Sequence, residues 1–251
     1  MKRFLLLFLL LPLNLSGAEK HVTAATLEWA PYIGKTLPNK GYVHEITVTA
    51  FKRSSYSVKI NFYPWARAVY LVEKGNNDVL LPEYYSKKRE KTCIYSNPIP
   101  GGPVGLYKQK SLKVKWLNNP QKKQTKALWG FRKYKFGVVR GYINTEEFDK
   151  AKFLVKEDVT NDELNIKKLH GNRIDFIFID KFVAQYIIKT KYPHFKYKLE
   201  FMEPAMELKP LYLTFSRKGK NFEEKLKAFN DGLAKMKKDG TLKRIMQKHN
   251  F

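Results

Sequence analysis

Two stretches of the chain alternate between short apolar runs and segments with helical spacing of apolar residues, and this pattern constrains the fold most strongly. In residues 22–81, strand-like runs flank helical stripes such as the one at Trp65, Ala68 and Val72. Residues 136–190 repeat the order of strand and helix. Because alternating strands and helices form mostly parallel sheets flanked by helices, the pattern predicts an α/β fold.

A similar turn occurs in both stretches. Gly75-Asn76 and Gly171-Asn172 each end a helical segment, and an aspartate and an apolar run follow each of them. The similarity favours two lobes of the same plan, although helix-to-strand turns in general favour Gly and Asn. Between the two turns lies a segment rich in Pro and Gly, residues 98–103, which predicts a hinge or a crossover. The predicted hinge residues are Pro100, Gly101 and Gly102.

The first 18 residues have the layout of a secretory signal peptide. Lys2 and Arg3 precede an apolar run at residues 4–13, and small residues at 16–18 provide a cleavage site. The run is shorter than the roughly 20 apolar residues that cross a bilayer. The alternative to a signal peptide is a buried N-terminal helix. We expect a mature chain that begins at Glu19 and is periplasmic or secreted. It would have no cysteine for a lipid anchor at its start and no membrane-inserted segment.

The chain has 48 Lys+Arg against 23 Asp+Glu, which gives a formal charge of +25 at pH 7. Its hydrophobic content of 43% is enough for a packed core and excludes a disordered basic tail. No nucleic-acid-binding motif accompanies the charge, so we interpret it as a solvated basic surface, including the lysine-rich stretch 108–126, and expect no nucleic-acid partner. The single cysteine, Cys93, lies in a strand-like run, which predicts a buried residue and excludes an intramolecular disulfide.

Sequence signatures of catalysis are missing. The chain has no G-x-S-x-G motif, no Walker loop, no dinucleotide-binding glycine fingerprint and no H-E-x-x-H motif. Its five histidines do not have metal-ligand spacing. We therefore predict a protein that is not an enzyme and that has no cofactor and no metal site.

Aromatic and charged residues follow several predicted strands, at the edge where α/β sheets bind ligands. A crevice between two lobes collects such edges from both, so we expect these residues to line one cleft. Capping patterns at Asn144/Glu147 and Thr160/Glu163 predict two helix starts, and Asp180 ends a strand where another helix begins. The candidate site residues are Trp29, Tyr32, Trp65, Arg67, Glu83, Tyr85, Arg89, Tyr142 and Asp180.

An ordered set of short motifs spans nearly the whole mature chain. These motifs are Trp29-Ala30-Pro31-Tyr32, Pro64-Trp65-Ala66-Arg67-Ala68, Gly75 with Asp78, Ser86 through Arg89, Ser96-Asn97-Pro98-Ile99, Gly137-Val138-Val139 with Gly141, Gly171 with Asp175 and Asp180, and Asp239-Gly240. No single motif is diagnostic, but in this order they resemble the family 3 extracellular solute-binding proteins, which are associated with importers of polar amino acids.

The resemblance implies the two-lobed type II periplasmic binding protein fold. Each lobe would be a mostly parallel sheet flanked by helices, and a ligand cleft would lie between them. The chain would start in lobe 1, cross to lobe 2 and return. On this plan lobe 1 comprises residues 19–99 and 208–251, lobe 2 comprises residues 103–205, and the hinge lies near 98–103 and 206–211.

The resemblance also implies roles for single residues. Arg89 matches the arginine that binds a ligand α-carboxylate, and Asp180 matches the acid that binds the α-ammonium group. A guanidinium suits the first role because its rigid fork donates two charge-assisted hydrogen bonds to a carboxylate. The helix that begins near Asn144 would direct backbone N–H groups toward an anion. The aromatic walls of the cleft would be Trp29, Tyr32 and Trp65.

Two regions depart from the amino-acid receptors of this family. Glu83-Tyr84-Tyr85 replaces a region rich in serine and threonine, and Tyr142 replaces a small hydroxyl residue. These bulky groups would fill or reshape the pocket, which argues against an ordinary α-amino acid as ligand. Glu83 either adds a negative charge for a cationic ligand or pairs with Arg67.

We therefore predict an exported protein that captures a small polar, amino-acid-like solute by closing two lobes around it, with the permease of an ABC importer as a partner. One alternative is an exported dehydratase-like enzyme of the same fold, with Glu28, Glu83 or Asp180 as general acid or base. Another is a basic envelope protein that binds polyanions, whose binding would weaken steeply with salt.

Overall fold

The structure is a computed structural model that describes residues 20–251, so the predicted signal peptide at residues 1–18 lies outside the described part. The chain begins with the predicted alternation of strands and helices. The first elements are β1 (Lys20–Thr26), α1 (Tyr42–Lys52), β2 (Tyr56–Phe62), α2 (Trp65–Glu73) and β3 (Val79–Glu83). β1 pairs in parallel with β2 on one side and β3 on the other. All five residues of β3 are buried, which explains the apolar run over its first four residues, and the fifth is the buried Glu83.

Two strands lead out of this first set of elements. They are β4 (Cys93–Tyr95) and β5 (Ile99–Gln109). The predicted hinge segment, residues 100–102, lies inside β5 and not in a break between elements. Glycine is required there because a Cβ at Gly101 would overlap the backbone carbonyl of Lys209 on the neighbouring strand.

The second set of elements repeats the α/β plan. Its members are α3 (Gln124–Trp129), β6 (Lys135–Val139), α4 (Glu146–Lys150), β7 (Val155–Val159), α5 (Asp162–His170), β8 (Phe176–Asp180), α6 (Lys181–Lys191) and β9 (Leu199–Phe201). β6 pairs in parallel with β7 and β8, whereas β8 and β9 run antiparallel to β5. The rings of Phe136 and Phe176 stack with centroids 5.3 Å apart, within the hydrophobic core that runs through both sets of elements.

The last strand, β10 (Glu207–Ser216), joins the two sets. Its first half pairs antiparallel with β5, and its second half pairs antiparallel with β3 and β4. The strand order is β2-β1-β3-β10-β5-β8-β6-β7, with β4 also on β10 and β9 also on β5. We call the part built on β1–β4 the first lobe and the part built on β6–β9 the second lobe. β5 and β10 are the strands that pass between them.

Two C-terminal helices complete the first lobe. They are α7 (Phe222–Lys238) and α8 (Thr241–Lys248), and Gly240 forms the left-handed turn between them with φ of 75°. On α7, the ring of Phe229 packs 5.6 Å from the ring of Phe51 on α1. Both rings are fully buried, and burying such a side chain contributes about 1.5–3 kcal/mol to stability.

Two of the predicted helix starts are wrong by one residue. Thr145 caps α4 instead of Asn144, and Asn161 caps α5 instead of Thr160. In each case the capping side chain accepts a hydrogen bond from the backbone N–H three residues later, which is the usual N-cap geometry. The shift makes Asp162 the first residue of α5.

The expected environments of Cys93 and of the lysine-rich stretch 108–126 are confirmed with one exception. Cys93 is fully buried in β4. The lysine-rich stretch is exposed or half-buried over most of its length, but Lys108 is buried in β5 because it pairs with Glu200. Within residues 20–251, no helix is long and apolar enough to cross a membrane.

Candidate functional site

The loop after β1 carries two aromatic side chains into the space between the lobes. Trp29 and Ile33 exchange backbone hydrogen bonds of 2.8 and 3.1 Å, which closes a tight turn around Tyr32. Gly41 has φ of 90°, and a Cβ there would strain the backbone and overlap the Tyr32 carbonyl. Trp29 and Tyr32 are both buried as a result.

Asp180, the last residue of β8, uses both carboxylate oxygens. Oδ1 caps α6 as predicted, accepting hydrogen bonds from the backbone N–H groups of Phe182 and Val183 at 2.8 and 3.1 Å. Oδ2 accepts hydrogen bonds from the hydroxyl groups of Tyr32 at 2.8 Å and Tyr84 at 2.9 Å, both in the first lobe. Burial raises the pKa of Asp180 to about 6 despite these hydrogen bonds. One carboxylate therefore connects the start of α6 to two parts of the opposite lobe.

A second carboxylate, Asp162, also accepts hydrogen bonds from both lobes. Its Oδ2 accepts from the indole N–H of Trp29 at 3.2 Å and from the hydroxyl of Tyr142 at 3.0 Å. The side chain is 5% exposed. Burial raises its pKa to about 7, and the neighbouring charge of Asp180 acts in the same direction.

Arg89 and Glu83 form a buried ion pair in the first lobe. Arg89 Nε lies 2.5 Å from Glu83 Oε1, and Glu73 lies 3.5 Å from the same guanidinium. Another guanidinium nitrogen donates to the carbonyl of Gly141 at 3.5 Å, across the cleft. Glu83 also accepts a 3.0 Å hydrogen bond from the hydroxyl of Thr214. Burial raises the pKa of Glu83 to about 7 against the opposing effect of the guanidinium.

This pairing excludes one of the two alternatives for Glu83, the pairing with Arg67. Arg67 is exposed on α2, and its guanidinium lies 5.3 Å from the centre of the Tyr70 ring. Residues on the outer face of a helix cannot reach the end of β3, whereas the turn that contains Arg89 folds back onto it.

Aromatic rings fill most of the space between these charged groups. Trp29 contacts Tyr32 with centroids 4.7 Å apart, Tyr84 at 5.7 Å and Tyr142 at 6.4 Å. Trp65 packs on Tyr142 at 5.8 Å, and its indole N–H donates to the carbonyl of Gly141 at 2.9 Å. The first lobe therefore contacts the second lobe chiefly through aromatic side chains that also hydrogen-bond.

The rings leave one small cavity and two open grooves. The cavity, of about 20 Å³, lies beside Trp29, Trp65, Tyr84 and Tyr142 and has room for about one water molecule. Trp29 also lines a groove of about 490 Å³, and Trp65 and Tyr142 line another of about 500 Å³. Both grooves are large enough for a small solute, and the aromatic rings line them.

The structure brings most of the predicted site residues together, but two lie elsewhere. The residues that meet between the lobes are Trp29, Tyr32, Trp65, Glu83, Arg89, Tyr142 and Asp180. Arg67 and Tyr85 are exposed, and the Tyr85 hydroxyl donates to Glu90 at 2.9 Å. Successive residues of an extended chain point to opposite sides, so only one of Tyr84 and Tyr85 enters the cleft.

Two residues of the cleft are absent from the candidate site residues: Asp162, and Tyr84, which was named only among the bulky groups that would reshape the pocket. The signal for Asp162 was its place beside a helix start, which suggested only a cap. Gly102, predicted as a hinge residue, packs directly against the site, since a Cβ there would overlap the Tyr32 hydroxyl and lie 2.9 Å from Asp180 Oδ2.

The sequence matches the family model described as bacterial extracellular solute-binding proteins, family 3, over residues 22–251. No curated protein matches at a significant level.

Several solved structures have the same fold. An ancestral arginine-binding protein bound to arginine superposes with a TM-score of 0.74 at 18% identity, over 91% of this chain and 97% of that chain. A histidine kinase sensor domain with similarity to periplasmic binding proteins gives a TM-score of 0.76 at 16% identity, over 92% and 96%. A structure from the study of glutathione import via GshT and the cystine ABC importer TcyBC of Streptococcus mutans gives 0.71 at 22% identity, over 92% and 95%. At these identities the similarity establishes the two-lobed fold.

Proposed function

We propose that this chain, which belongs to family 3 of the bacterial extracellular solute-binding proteins, captures a small polar solute by closing its two lobes around it. A binding function follows from the family. The nature of the solute, the closing motion and the destination of the solute are the parts that we propose.

The observation that supports the proposal most directly is that the polar groups of the cleft come from both lobes. Asp180 of the second lobe accepts hydrogen bonds from Tyr32 and Tyr84 of the first, and Asp162 accepts one from Trp29. A solute that bonds to these groups changes the contacts that hold the lobes together. Binding and lobe position are therefore coupled, as domain closure requires.

We place the hinge in β5 and β10, near residues 98–103 and 206–211. β10 changes its pairing partner from β5 to β3 and β4 within its length, with register shifts between Lys209 and Leu211 and between Tyr212 and Thr214. A small change of twist in two adjacent strands is enough to rotate one lobe against the other. The corresponding lobes are residues 19–99 with 208–251, and residues 103–205.

Export and transport complete the proposal. The signal-peptide pattern at residues 1–18 supports export to the periplasm or beyond. The similar structures include an arginine-binding protein and one described in connection with a cystine ABC importer. On this basis we propose an amino-acid-like solute and delivery to the permease of an ABC importer.

A thermal-shift screen of amino acids, short peptides and polyamines tests the binding function. A solute at 100 times its Kd stabilises the protein by about 2.7 kcal/mol, which corresponds to a rise in Tm of roughly 5–10 °C for a chain of this size. Asp180→Asn is the variant to compare with the wild type in this screen, because asparagine keeps the helix cap but removes the charge. A screen in which no solute raises the Tm would contradict the proposed function.

A further inference from the structure

The guanidinium that a carboxylate-bearing solute would need is already engaged. Arg89 contacts Glu83 at 2.5 Å and Glu73 at 3.5 Å, and it donates to the Gly141 carbonyl at 3.5 Å. Arg89 is 7% exposed and Glu83 is 3% exposed. A carboxylate that approached Arg89 would meet the negative charge of Glu83 in the same buried space.

The remaining buried carboxylates have no cation beside them. Within residues 20–251, no Lys, Arg or His nitrogen lies within 4 Å of a carboxylate oxygen of Asp162 or Asp180. Their partners are neutral donors: tyrosine hydroxyls, an indole N–H and backbone N–H groups. Buried charges in proteins are normally paired, so the cleft has an excess of negative charge that a cation would neutralise.

Only one of these two carboxylates faces space that a solute can occupy. Asp180 accepts two hydrogen bonds on each oxygen, whereas both hydrogen bonds that Asp162 accepts from other residues end on Oδ2. Asp162 lines the groove of about 490 Å³. Its Oδ1 receives no hydrogen bond from another residue in the described part of the chain, so it is the acceptor left for a ligand.

The other charges in this groove already balance each other. Glu28 lies 3.9 Å from the ammonium of Lys35, and Glu163 lies 2.5 Å from that of Lys191. Asp162 is the fifth charged side chain that lines the groove, and within residues 20–251 it has no partner of opposite charge. The uncompensated charge of the groove is therefore one buried carboxylate.

The remaining walls of the groove suit an organic cation. Trp29 lines it next to Asp162, and an indole ring attracts a cation placed over its face. Val183 and Ile187 of α6 add apolar surface for an alkyl chain. A carboxylate, an aromatic ring and an aliphatic wall are the groups that recognise an alkyl-amine or alkyl-guanidine.

We propose that the solute is a small organic cation, either an amine or a guanidine, that has no carboxylate. Its charged group binds Asp162 beside Trp29. The proposal rests on the proposed solute-binding function and replaces its amino-acid-like solute with a decarboxylated one. Arg89 then positions Glu83 and contributes no bond to the solute.

Titration calorimetry with matched pairs of probes tests this at pH 8. Each pair differs only in the α-carboxylate: agmatine with arginine, cadaverine with lysine, and tyramine with tyrosine. We expect at least one amine to bind at least tenfold more tightly than its amino acid. In Asp162→Asn, that amine should bind at least tenfold more weakly, while Asp231→Asn, an exposed change on α7, should leave the affinity unchanged.

The outcomes separate this inference from the proposed function. Tighter binding of the amino acid in every pair, or amine binding that Asp162→Asn leaves intact, overturns the inference while solute binding itself stands. If no amine and no amino acid binds but another solute in the thermal-shift screen does, the inference fails alone. If nothing in either experiment binds, both fail. Because asparagine retains an acceptor for Trp29 and Tyr142, a melting curve suffices to show that the variant is folded.

Discussion

At the scale of single residues, the cleft is characterised by carboxyl groups removed from water. Glu83, Asp162 and Asp180 are all more than nine-tenths buried, and among residues 20–251 Arg89 is the one cation in contact with any of them. Burial disfavours the ionised form, so the folded protein holds protons at these sites more strongly than the unfolded chain does. Their contribution to the free energy of unfolding therefore falls as the pH rises from about 4, the usual carboxyl pKa, to about 7.

Replacing Asp162 with asparagine should remove one part of this pH dependence. The variant should match the wild type near pH 4 and be more stable at pH 8, by an amount on the order of 2–4 kcal/mol at about 1.4 kcal/mol per pKa unit. Urea unfolding at both pH values measures the difference. Other carboxyl groups, such as Glu45 and Glu163, have lowered pKa values and the opposite pH dependence, so only the difference between wild type and variant is informative.

The matched control for this experiment is Asp231→Asn, which changes an exposed carboxylate. Its stability relative to the wild type should not depend on pH between 4 and 8. A destabilised Asp162→Asn at pH 8 would mean that the aspartate is a stabilising structural residue. A more stable variant that has lost its solute would identify a residue kept for binding at the expense of stability.

Gly102→Ala tests the close packing of β5 against the site. The new methyl group would overlap the Tyr32 hydroxyl and lie 2.9 Å from Asp180 Oδ2, which should break the hydrogen bond between the lobes. We expect a loss of about 1–3 kcal/mol in stability and a weaker solute affinity. Combining it with Tyr32→Phe should recover part of the loss, because the overlapping oxygen is removed. Independent, additive losses in the double variant would contradict this geometry.

Some residues of the cleft could be predicted from the sequence, and others could not. Trp29 and Asp180 could be found because they follow strands, and strand ends of this fold meet at the cleft. Asp162 could not, because an acid in the first turn of a helix occurs equally as a surface residue. The Arg89–Glu83 pair depends on how a turn folds back on a strand, which spacing alone does not show.

At the scale of elements, β5 and β10 matter most because both lobes share them. The Pro-Gly segment was predicted as a hinge or a crossover, and it forms part of the continuous strand β5. Pro100 is tolerated there, and its carbonyl accepts a 2.6 Å hydrogen bond from the hydroxyl of Tyr42. The spacing of apolar residues was sufficient to predict most strands and helices. Two helices begin one residue later than predicted, where neighbouring side chains compete to cap them.

Gly101→Ala should be more damaging than Gly102→Ala. The added Cβ would overlap the backbone carbonyl of Lys209, which cannot move away without disturbing the pairing of β5 with β10. We expect a loss of at least about 3 kcal/mol, measured as the urea midpoint at constant m-value. A smaller loss than that of Gly102→Ala would show that the two strands are more loosely paired than the structure indicates.

At the scale of the whole molecule, the chain and its cleft have net charges of opposite sign. The chain carries a formal charge of +25, while its cleft holds three buried carboxyl groups and one buried guanidinium. The two-lobed fold could be predicted from the order of motifs along the chain. The sign of the cleft's net charge could not be predicted, because it depends on four residues from three separate segments among 71 charged residues.

We propose that a small cation bound at Asp162 draws the two lobes together. Cys93 is buried and its pKa is raised to about 11 by burial, so introduced cysteines can be spin-labelled selectively. Lys59→Cys on β2 and Lys152→Cys beside β7 place labels on exposed positions at the two ends of the strand order. Double electron–electron resonance at pH 8 should show that saturating agmatine shifts the distances to a shorter, narrower distribution, and that Asp162→Asn abolishes the shift. An unchanged distance distribution with agmatine bound, or an equal shift in Asp162→Asn, would contradict closure of the lobes by a cation bound at Asp162.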